Sequence, residues 1–387
     1  MSDRRSFTGL RILGFCDYFA EDSSGGAEKV TAEVYQRLID QGAEIRVVST
    51  VPGRPAGETA PWGIPTVLAS GRDLSSLLGA QVTLAPGLLR VGRREISQFR
   101  PNVLHASGLH FQSSLAAAIL ARRKKVPFVA TGHIGSIENL AGLVRTATST
   151  YEKSIGRYIL KTSRRVIAVS AAVADHMVHL GAPSRSVHVV PNGVDLDRFR
   201  PGSRSETQVG VVFVGRLIGN KGPDEVLDAF AAVAGDDATL TFIGDGPMRG
   251  ELEAKIQRLE LQDKVSFLGH IDDVERLLGE ADVMVRPSQT EGQSLAILEA
   301  MASGVAVIAS DIPPNRELLG DDERGLLVAP GDQSGLSAAL GALIDDENRR
   351  GSLARAAREL VVCHTWDRCA EATGEVLAAA AGREETQ

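Results

Sequence analysis

Short apolar segments alternate along this chain with helical stretches about ten to fifteen residues long, and that alternation leaves few folds open. Arg11–Cys16 (RILGFC) reads as a first strand, the pair Gly25-Gly26 opens a helical pattern running through Ile39, and Glu44–Ser49 (EIRVVS) reads as the next strand. Further units follow at Val103–His105 with a helix after Gln112, at Pro127–Thr131, and at Arg165–Val169 with a helix ending near Leu180-Gly181. Strand, helix, strand in this order predicts parallel sheets covered by helices on both faces, an α/β fold.

After residue 200 the pattern restarts. Val209–Val214, Thr239–Ile243, Val265–Phe267, Val283–Val285 and Val305–Ile308 read as strands, separated by helical stretches such as Pro223–Ala234 and Pro247–Leu259. Two doubly wound domains are predicted, which suits 387 residues, because a single core stops growing at roughly 250–300. The joint falls at Pro191-Asn192-Gly193-Val194-Asp195, where Pro and Asn-Gly impose a turn, with Arg200–Gln208 as a polar linker. The domains expected are 1–195 and 196–365.

A chain that is 43% hydrophobic and 24% charged is neither disordered nor fibrous. Cys16, Cys363 and Cys369 cannot all pair and show no metal-ligand spacing. The longest apolar runs, Leu115–Ala121 and Val305–Ala309, fall short of the roughly 18 residues a bilayer span requires, and the first residues lack a leader pattern. A cytoplasmic protein is the expectation. The net charge of −7 is shared unevenly: residues 1–200 carry 25 Lys+Arg against 16 Asp+Glu, and residues 201–387 carry 17 against 33. A positive half suits phosphates or an anionic membrane surface, and a pair of complementary, solvated domain faces explains it equally well.

In doubly wound domains the binding loops follow the carboxyl ends of strands. Four such loops carry chemistry. Ser24-Gly25-Gly26-Ala27-Glu28 lets backbone approach a ligand at a helix N-terminus. Gly215-Arg216-Leu217 with Lys221-Gly222 offers two cations suited to a diphosphate. Gly244-Asp245-Gly246-Pro247 is half a dinucleotide fingerprint, with Pro247 lacking a donor and Arg249 where a third glycine belongs, which argues against a dehydrogenase. Glu291-Gly292-Gln293-Ser294-Leu295 leads into a helix, so the amides of Gly292–Leu295 are expected open at its N-terminus, with Glu291 at the mouth and Glu299 about two turns along the same face.

These segments, with PNGVD at 191–195, FLG at 267–269 and ASGVAVIASD at 302–311, make nearly the whole chain resemble the retaining family-4 glycosyltransferases of the GT-B fold. The resemblance implies two Rossmann-like domains facing across a cleft, and a helix within 366–387, starting near Trp366, that crosses back to the N-terminal domain. It implies that Arg216 and Lys221 hold the diphosphate of a nucleotide sugar, that Glu299 binds its ribose, and that Glu291 with Gly292, Ser294 and Leu295 holds sugar hydroxyls and diphosphate. Gly26 and Gly215 complete the donor site. His133, in Thr131-Gly132-His133, matches the histidine near the donor sugar, although a structural histidine is the commoner reading of such a residue. Asp17, Gly25, Gly26 and His133 form the acceptor side. His133, Arg216, Lys221 and Glu291 are the catalytic set. No protein base, cofactor or metal is implied, and the D-x-D at Asp195-Leu196-Asp197 belongs to the PNGVD turn. Gln293-Ser294 stands where the family often has Phe-Gly, which leaves the donor sugar open, and base selectivity is placed near Gly269–Asp273.

The chain also resembles the enzymes that place glucose or N-acetylglucosamine from a UDP-sugar on 2-deoxystreptamine in aminoglycoside antibiotic biosynthesis, and the acidic loop with Asp17, Glu21 and Asp22 suits such a cationic acceptor. Two alternatives stand beside it. One is a peripheral membrane glycosyltransferase acting on a lipid or polysaccharide precursor, with Arg90, Arg93 and Arg94, or Arg122-Arg123-Lys124-Lys125, as its basic patch. The other is a non-catalytic nucleotide-sugar-binding protein. The partners expected are a nucleotide-sugar donor and a small-molecule acceptor, with no nucleic acid.

Overall fold

The computed structural model describes residues 6–22, 25–73, 83–136, 142–205, 207–235, 237–271 and 273–383, without the side chains of 143 and 144; Ser24 and Asp272, singled out above, lie outside this set. The chain forms two compact units. The first comprises Met1–Gly135, Gly142–Asn192 and Trp366–Gln387, and the second is built around Gly193–Thr365.

In the first unit the strands are β1 (Arg11–Phe15), β2 (Glu44–Ser49), β3 (Gly57–Thr59), β4 (Thr66–Leu68), a small pair β5 (Arg72–Asp73) and β6 (Thr83–Leu84), β7 (Val103–Ser107), β8 (Phe128–Gly132), β9 (Arg165–Ala168) and β10 (Val187–Val189). The helices are α1 (Gly26–Asp40), α2 (Leu88–Phe99), α3 (Gln112–Lys124), α4 (Gly142–Tyr151), α5 (Arg157–Thr162) and α6 (Ala171–His179). Among the described residues the main sheet has the order β10-β9-β8-β7-β1-β2-β4-β3. It is parallel except for the antiparallel edge pair β3–β4. Every residue of β7 and β8 is buried, as a strand covered on both faces requires. Strands β7 and β8 run on to Ser107 and Gly132, beyond the apolar segments expected from sequence.

The second unit contains β11 (Val209–Val214), α7 (Pro223–Val233), β12 (Ala238–Ile243), α8 (Arg249–Arg258), β13 (Val265–Gly269), α9 (Val274–Glu280), β14 (Val283–Arg286), α10 (Leu295–Ala302), β15 (Ala306–Ser310), α11 (Pro313–Leu319), β16 (Leu326–Val328), α12 (Gln333–Asp345) and α13 (Glu347–Val361). Its parallel sheet is ordered β13-β12-β11-β14-β15-β16. Two apolar clusters cover it, one around Phe213, Phe230 and Phe242 and the other around Met284, Leu298 and Met301. Helix α8 starts at Arg249, two residues later than Pro247, because the Met248 amide donates to the Leu217 carbonyl at 3.1 Å and holds the preceding turn against the loop after β11.

The last helix, α14 (Trp366–Ala380), belongs to the first unit. Its Gly374 lies so close to Phe7 and Leu38 that a Cβ there would sit 2.4 Å from the Phe7 ring. Asp367 pairs with Arg37 of α1 at 2.9 Å.

In each sheet the order of the parallel strands reverses direction at one place, between β1 and β7 in the first unit and between β11 and β14 in the second. The loops that leave such a pair of strands diverge to opposite faces and open a crevice at their carboxyl ends, where ligands of doubly wound folds bind.

Candidate active site

At the switch point of the second unit, Gly215 directly follows β11 and β14 ends in Arg286. Gly215 has φ +148, a backbone suited to glycine, and a Cβ there would meet the Arg286 guanidinium at 2.1 Å. The neighbouring Gly244, φ +127, would carry a Cβ 2.1 Å from the Gly215 carbonyl oxygen. These two glycines let the loops after β11 and β12 run against one another, with the Leu217 amide donating to the Asp245 carbonyl at 3.0 Å. They also admit Arg286, which donates to the Val214 carbonyl.

Arg286 then turns to Glu291, its Nη2 3.0 Å from Oε1. Lys221, at the end of a short 3-10 turn before α7, donates to the same oxygen at 2.8 Å and lies 3.4 Å from the Thr290 carbonyl. The three side chains are only 8% (Arg286), 11% (Glu291) and 19% (Lys221) exposed. Burial alone would raise the Glu291 pKa, yet Lys221 and Arg286 overcome it and hold the carboxyl down at about 2. Burial pushes Lys221 below its ordinary value, an effect Glu291 opposes and Arg286 reinforces. Arg216 is exposed on the same loop, and no carboxylate pairs with it among the described residues. Two cations are thus paired with one carboxylate, and Arg216 lies near enough to Lys221 to add to the downward push on its pKa, an excess of positive charge that a bound anion would balance.

Helix α10 begins beyond this triad. Ser294 is its N-cap and accepts from the Ile297 amide at 3.4 Å. Gly292, Gln293 and Ser294 are buried and Leu295 half-buried, which corrects the expectation of amides open to solvent: the turn is packed into the unit. Glu291 precedes the helix, so it does not share a helical face with Glu299. Its side chain is drawn instead to Lys221 and Arg286, and Glu299, 9% exposed, lies one turn inside α10. Asp195 accepts from the amides of Asp197 and Arg198, both at 3.0 Å, so its carboxylate closes the PNGVD turn. No group of three or more His, Cys, Asp or Glu placed to hold a metal ion occurs among the described residues.

In the first unit, Gly25 and Gly26 begin α1 on the chain leaving β1. The Gly25 amide donates to Glu28 Oε2 at 2.8 Å. Neither glycine has the left-handed backbone that would demand one; at Gly25 a Cβ would lie 3.0 Å from Glu28 Oε2, so the missing side chain lets that carboxylate close over the helix end. His133 follows β8 and is half-buried; its Nε2 is 2.8 Å from Ser107 Oγ at the end of β7. Burial holds its pKa down at about 4, so the ring is neutral at pH 7. Asp17 is only 2% exposed. It accepts from Thr50 Oγ1 at 3.1 Å and from the Ser113 amide at 3.5 Å, bracketing β2 and α3, and burial pushes its pKa up to about 6 against those bonds. Glu21 accepts from the Trp62 amide and Asp22 pairs with Arg54. The acidic loop is thus largely committed to the protein itself.

The model of the family described as "Glycosyltransferase Family 4" matches residues 24–198, and that of "Glycosyl transferases group 1" matches 196–360. A D-inositol 3-phosphate glycosyltransferase of Geodermatophilus obscurus is 30% identical, over 92% of this chain and 85% of that protein. The chain belongs to the family-4 glycosyltransferases. A glycogen synthase of Mycobacterium tuberculosis is 29% identical over 98% of this chain and 97% of its own. Among solved structures, Anabaena HepE in complex with UDP and glucose matches with a TM-score of 0.76 at 20% identity, over 96% of this chain and all of that one. Sucrose-phosphate synthase from Thermosynechococcus elongatus matches at 0.75 and 20%, over 94% and 98%. The two Rossmann-like units are those of the GT-B glycosyltransferase fold.

Within this family-4 glycosyltransferase, the second unit brings together Gly215, Lys221 and Glu291, and Arg216 lies on the same loop. In the first unit Gly25 and Gly26 lie on the chain leaving β1, and His133 directly follows β8, with β7 between the two strands. Arg286 is the residue that sequence reasoning missed. Its signal was there, a charged residue closing the otherwise apolar strand VMVR, which a buried strand tolerates only when the charge has partners. Ser107 and Thr31 were missed as well, their hydroxyls hidden in an apolar strand and a helix interior.

Proposed function

We propose that this protein is a retaining hexosyltransferase that moves glucose or N-acetylglucosamine from a UDP-sugar to a hydroxylated acceptor, with no metal ion and no cofactor, in the cytoplasm. The observation that carries the reading is the triad of Lys221 and Arg286 on Glu291, with Arg216 beside it, at the switch point of the second unit. A nucleoside diphosphate is the anion such a set would hold. The leaving diphosphate gains negative charge as the glycosidic bond breaks, and fixed cations stabilise that charge without reorganising. Glu291 keeps Lys221 and Arg286 in place and would accept from sugar hydroxyls, and Glu299, Gly292, Ser294 and Leu295 would complete the donor site. Proton transfer from the acceptor to a donor phosphate oxygen would leave no role for a protein base.

The acceptor we favour is a small polyhydroxylated ring, an aminocyclitol such as 2-deoxystreptamine being the specific form of the proposal. The commitments of Asp17, Glu21 and Asp22 within the protein weaken the electrostatic part of that argument. A second reading, a peripheral membrane enzyme acting on a lipid or polysaccharide precursor, is favoured by one observation. Arg90, Arg93 and Arg94 on α2, and Arg122, Arg123, Lys124 and Lys125 at the end of α3, are all exposed on helices that pack together.

The test is nucleoside diphosphate release and product mass with UDP-glucose, UDP-N-acetylglucosamine and GDP-mannose. Each would be offered alone and with 2-deoxystreptamine, an inositol phosphate or a maltooligosaccharide, and the anomeric configuration of any product read by NMR. Acceptor-dependent release with retained configuration is expected. Release with inversion removes the retaining assignment. UDP binding without transfer to any acceptor, including lipids in anionic vesicles, would leave a non-catalytic binding protein.

A further inference from the structure

The half-buried His133 is tied to the protein through a chain of hydroxyl groups. Thr31 of α1 donates from Oγ1 to Ser107 Oγ at 2.6 Å and shares the same proton with the Ala27 carbonyl at 2.8 Å. Ser107 Oγ stands 2.8 Å from His133 Nε2. With Thr31 donating to it, Ser107 has its own proton to give, and of the two acceptors beside it the ring nitrogen is much stronger than the Cys16 sulfur, whose thiol donates to the Asp17 carbonyl. A ring nitrogen that accepts carries no proton, so a neutral imidazole must carry its proton on Nδ1. Thr31 is 3% exposed and Ser107 1%, so water does not compete for either hydroxyl. A parallel chain lies alongside, in which His105 meets Tyr35 through Nδ1 and Thr131 through Nε2, both at 2.7 Å. A cavity of about 20 Å³, lined in part by Thr31, His105, Ser107, Thr131 and His133, separates the two.

We propose that Thr31 and Ser107 are positioning residues that hold His133 as its Nδ1–H tautomer, a neutral hydrogen-bond donor for an oxygen of a ligand bound at the carboxyl ends of β7 and β8. The proposal rests on the reading of His133 as a residue of the transferase site. A neutral donor in a fixed rotamer holds an oxygen in place without the reorganisation that a mobile or protonated ring would need. Two strands and a helix contribute to this one ring: His133 directly follows β8, β7 supplies Ser107, and α1, whose N-terminus holds Gly25 and Gly26, supplies Thr31.

The test has an arm that needs no turnover. In 15N-histidine-labelled protein at pH 7, with the His133 signal assigned by its loss in His133→Asn, protonated Nδ1 and unprotonated Nε2 are expected. The opposite tautomer, or a doubly protonated ring, overturns the proposal. In the kinetic arm, Ser107→Ala should lower kcat about tenfold while the KM for the sugar donor stays within about twofold, the signature of an interaction that matters most in the transition state. Thr31→Val should act in the same direction, and Thr31→Ser should restore the rate. His133→Asn, whose amide nitrogen falls near the Nδ1 position, should retain about tenfold more activity than His133→Gln, whose amide falls near Nε2. Unchanged kcat in Ser107→Ala and Thr31→Val, against an active parent, sinks the positioning role and leaves the transferase reading intact. An inactive parent with the expected 15N signature sinks the transferase reading instead.

Discussion

Glu291→Gln isolates the electrostatics of the cation cluster, because it keeps the side chain's shape and removes its charge. In the folded protein the carboxyl sits at about 2 against an ordinary value of 4.5, and its side chain is 11% exposed, so solvent screens it little. The difference corresponds to roughly 3 kcal/mol of stabilisation. Removing one partner of a buried pair costs about 3–5 kcal/mol by comparison with other proteins, which agrees in size. The sign follows from a folded pKa below the unfolded one: the stabilisation is complete above about pH 5 and is lost as pH falls toward 2. Urea unfolding followed by circular dichroism should therefore place the variant about 3 kcal/mol below the parent at pH 7, and only about 1.4 kcal/mol below it at pH 3, where the parent carboxyl is partly protonated. Trp62 and Trp366 both lie in the first unit, so tryptophan fluorescence provides a record of that unit alongside. A difference under about 0.5 kcal/mol at pH 7, the size of an ordinary surface substitution, would refute the idea that Glu291 is the counter-charge of this cluster. So would a gap that does not narrow with acid.

Four further outcomes are expected. Lys221→Ala should lower kcat/KM for sugar transfer by about 10²- to 10³-fold, as the loss of one preorganised charge-stabilising group does elsewhere, and initial-rate kinetics would show it. Gly215→Ala should cost at least about 2 kcal/mol through backbone strain and displacement of Arg286, seen as a lowered unfolding midpoint. Asp17→Asn should gain on the parent as pH rises from 5 to 8, by about 1.4 kcal/mol: the buried carboxyl, raised from 3.8 to about 6, makes the parent less stable as it ionises, and the amide removes that cost. Sugar transfer should be unchanged by excess EDTA; a loss restored by a divalent cation would overturn the metal-free mechanism.

The core strands were legible because each is a short, nearly continuous apolar run, and the five read in the second unit lie within two residues of their expected bounds at either end, whereas the three-residue β16 was not read. The strands β3 and β4 were not, since Gly57–Thr59 and Thr66–Leu68 are three residues each, too short for periodicity to register. Glycines and cations on loops singled out Gly215, Arg216, Lys221 and Glu291 as candidates, because flexible backbone and charge are unusual at the end of an apolar strand. What sequence spacing could not supply was direction. It placed Glu291 on a helical face with Glu299, whereas the structure turns it toward Lys221, 70 positions away, and Arg286. It also offered Asp17 as a ligand to the acceptor, when its neighbours in space are Thr50 and Ser113.

The charge distribution shows why bulk composition misleads about such a site. The half of the chain with excess positive charge contains a candidate site whose titratable member, His133, is neutral and whose carboxylates are bonded inward. The half with excess negative charge sets Lys221 and Arg286 on a single carboxylate, with Arg216 near Lys221. Exposed acidic residues spread over a domain are screened within about 8–10 Å of ionic solution, whereas cations fixed in a buried turn act on a bound anion at contact distance and through a less polarisable medium. A diphosphate bound as proposed would therefore respond to the few groups at the switch point, and the acidic surface around it would chiefly set how its approach depends on salt. On this reasoning, donor affinity should change far more with Lys221→Ala than with reversal of an exposed carboxylate such as Glu253, whose partner is the surface residue Arg249. Equal losses in the two variants would assign recognition to the overall field of the domain and not to the triad.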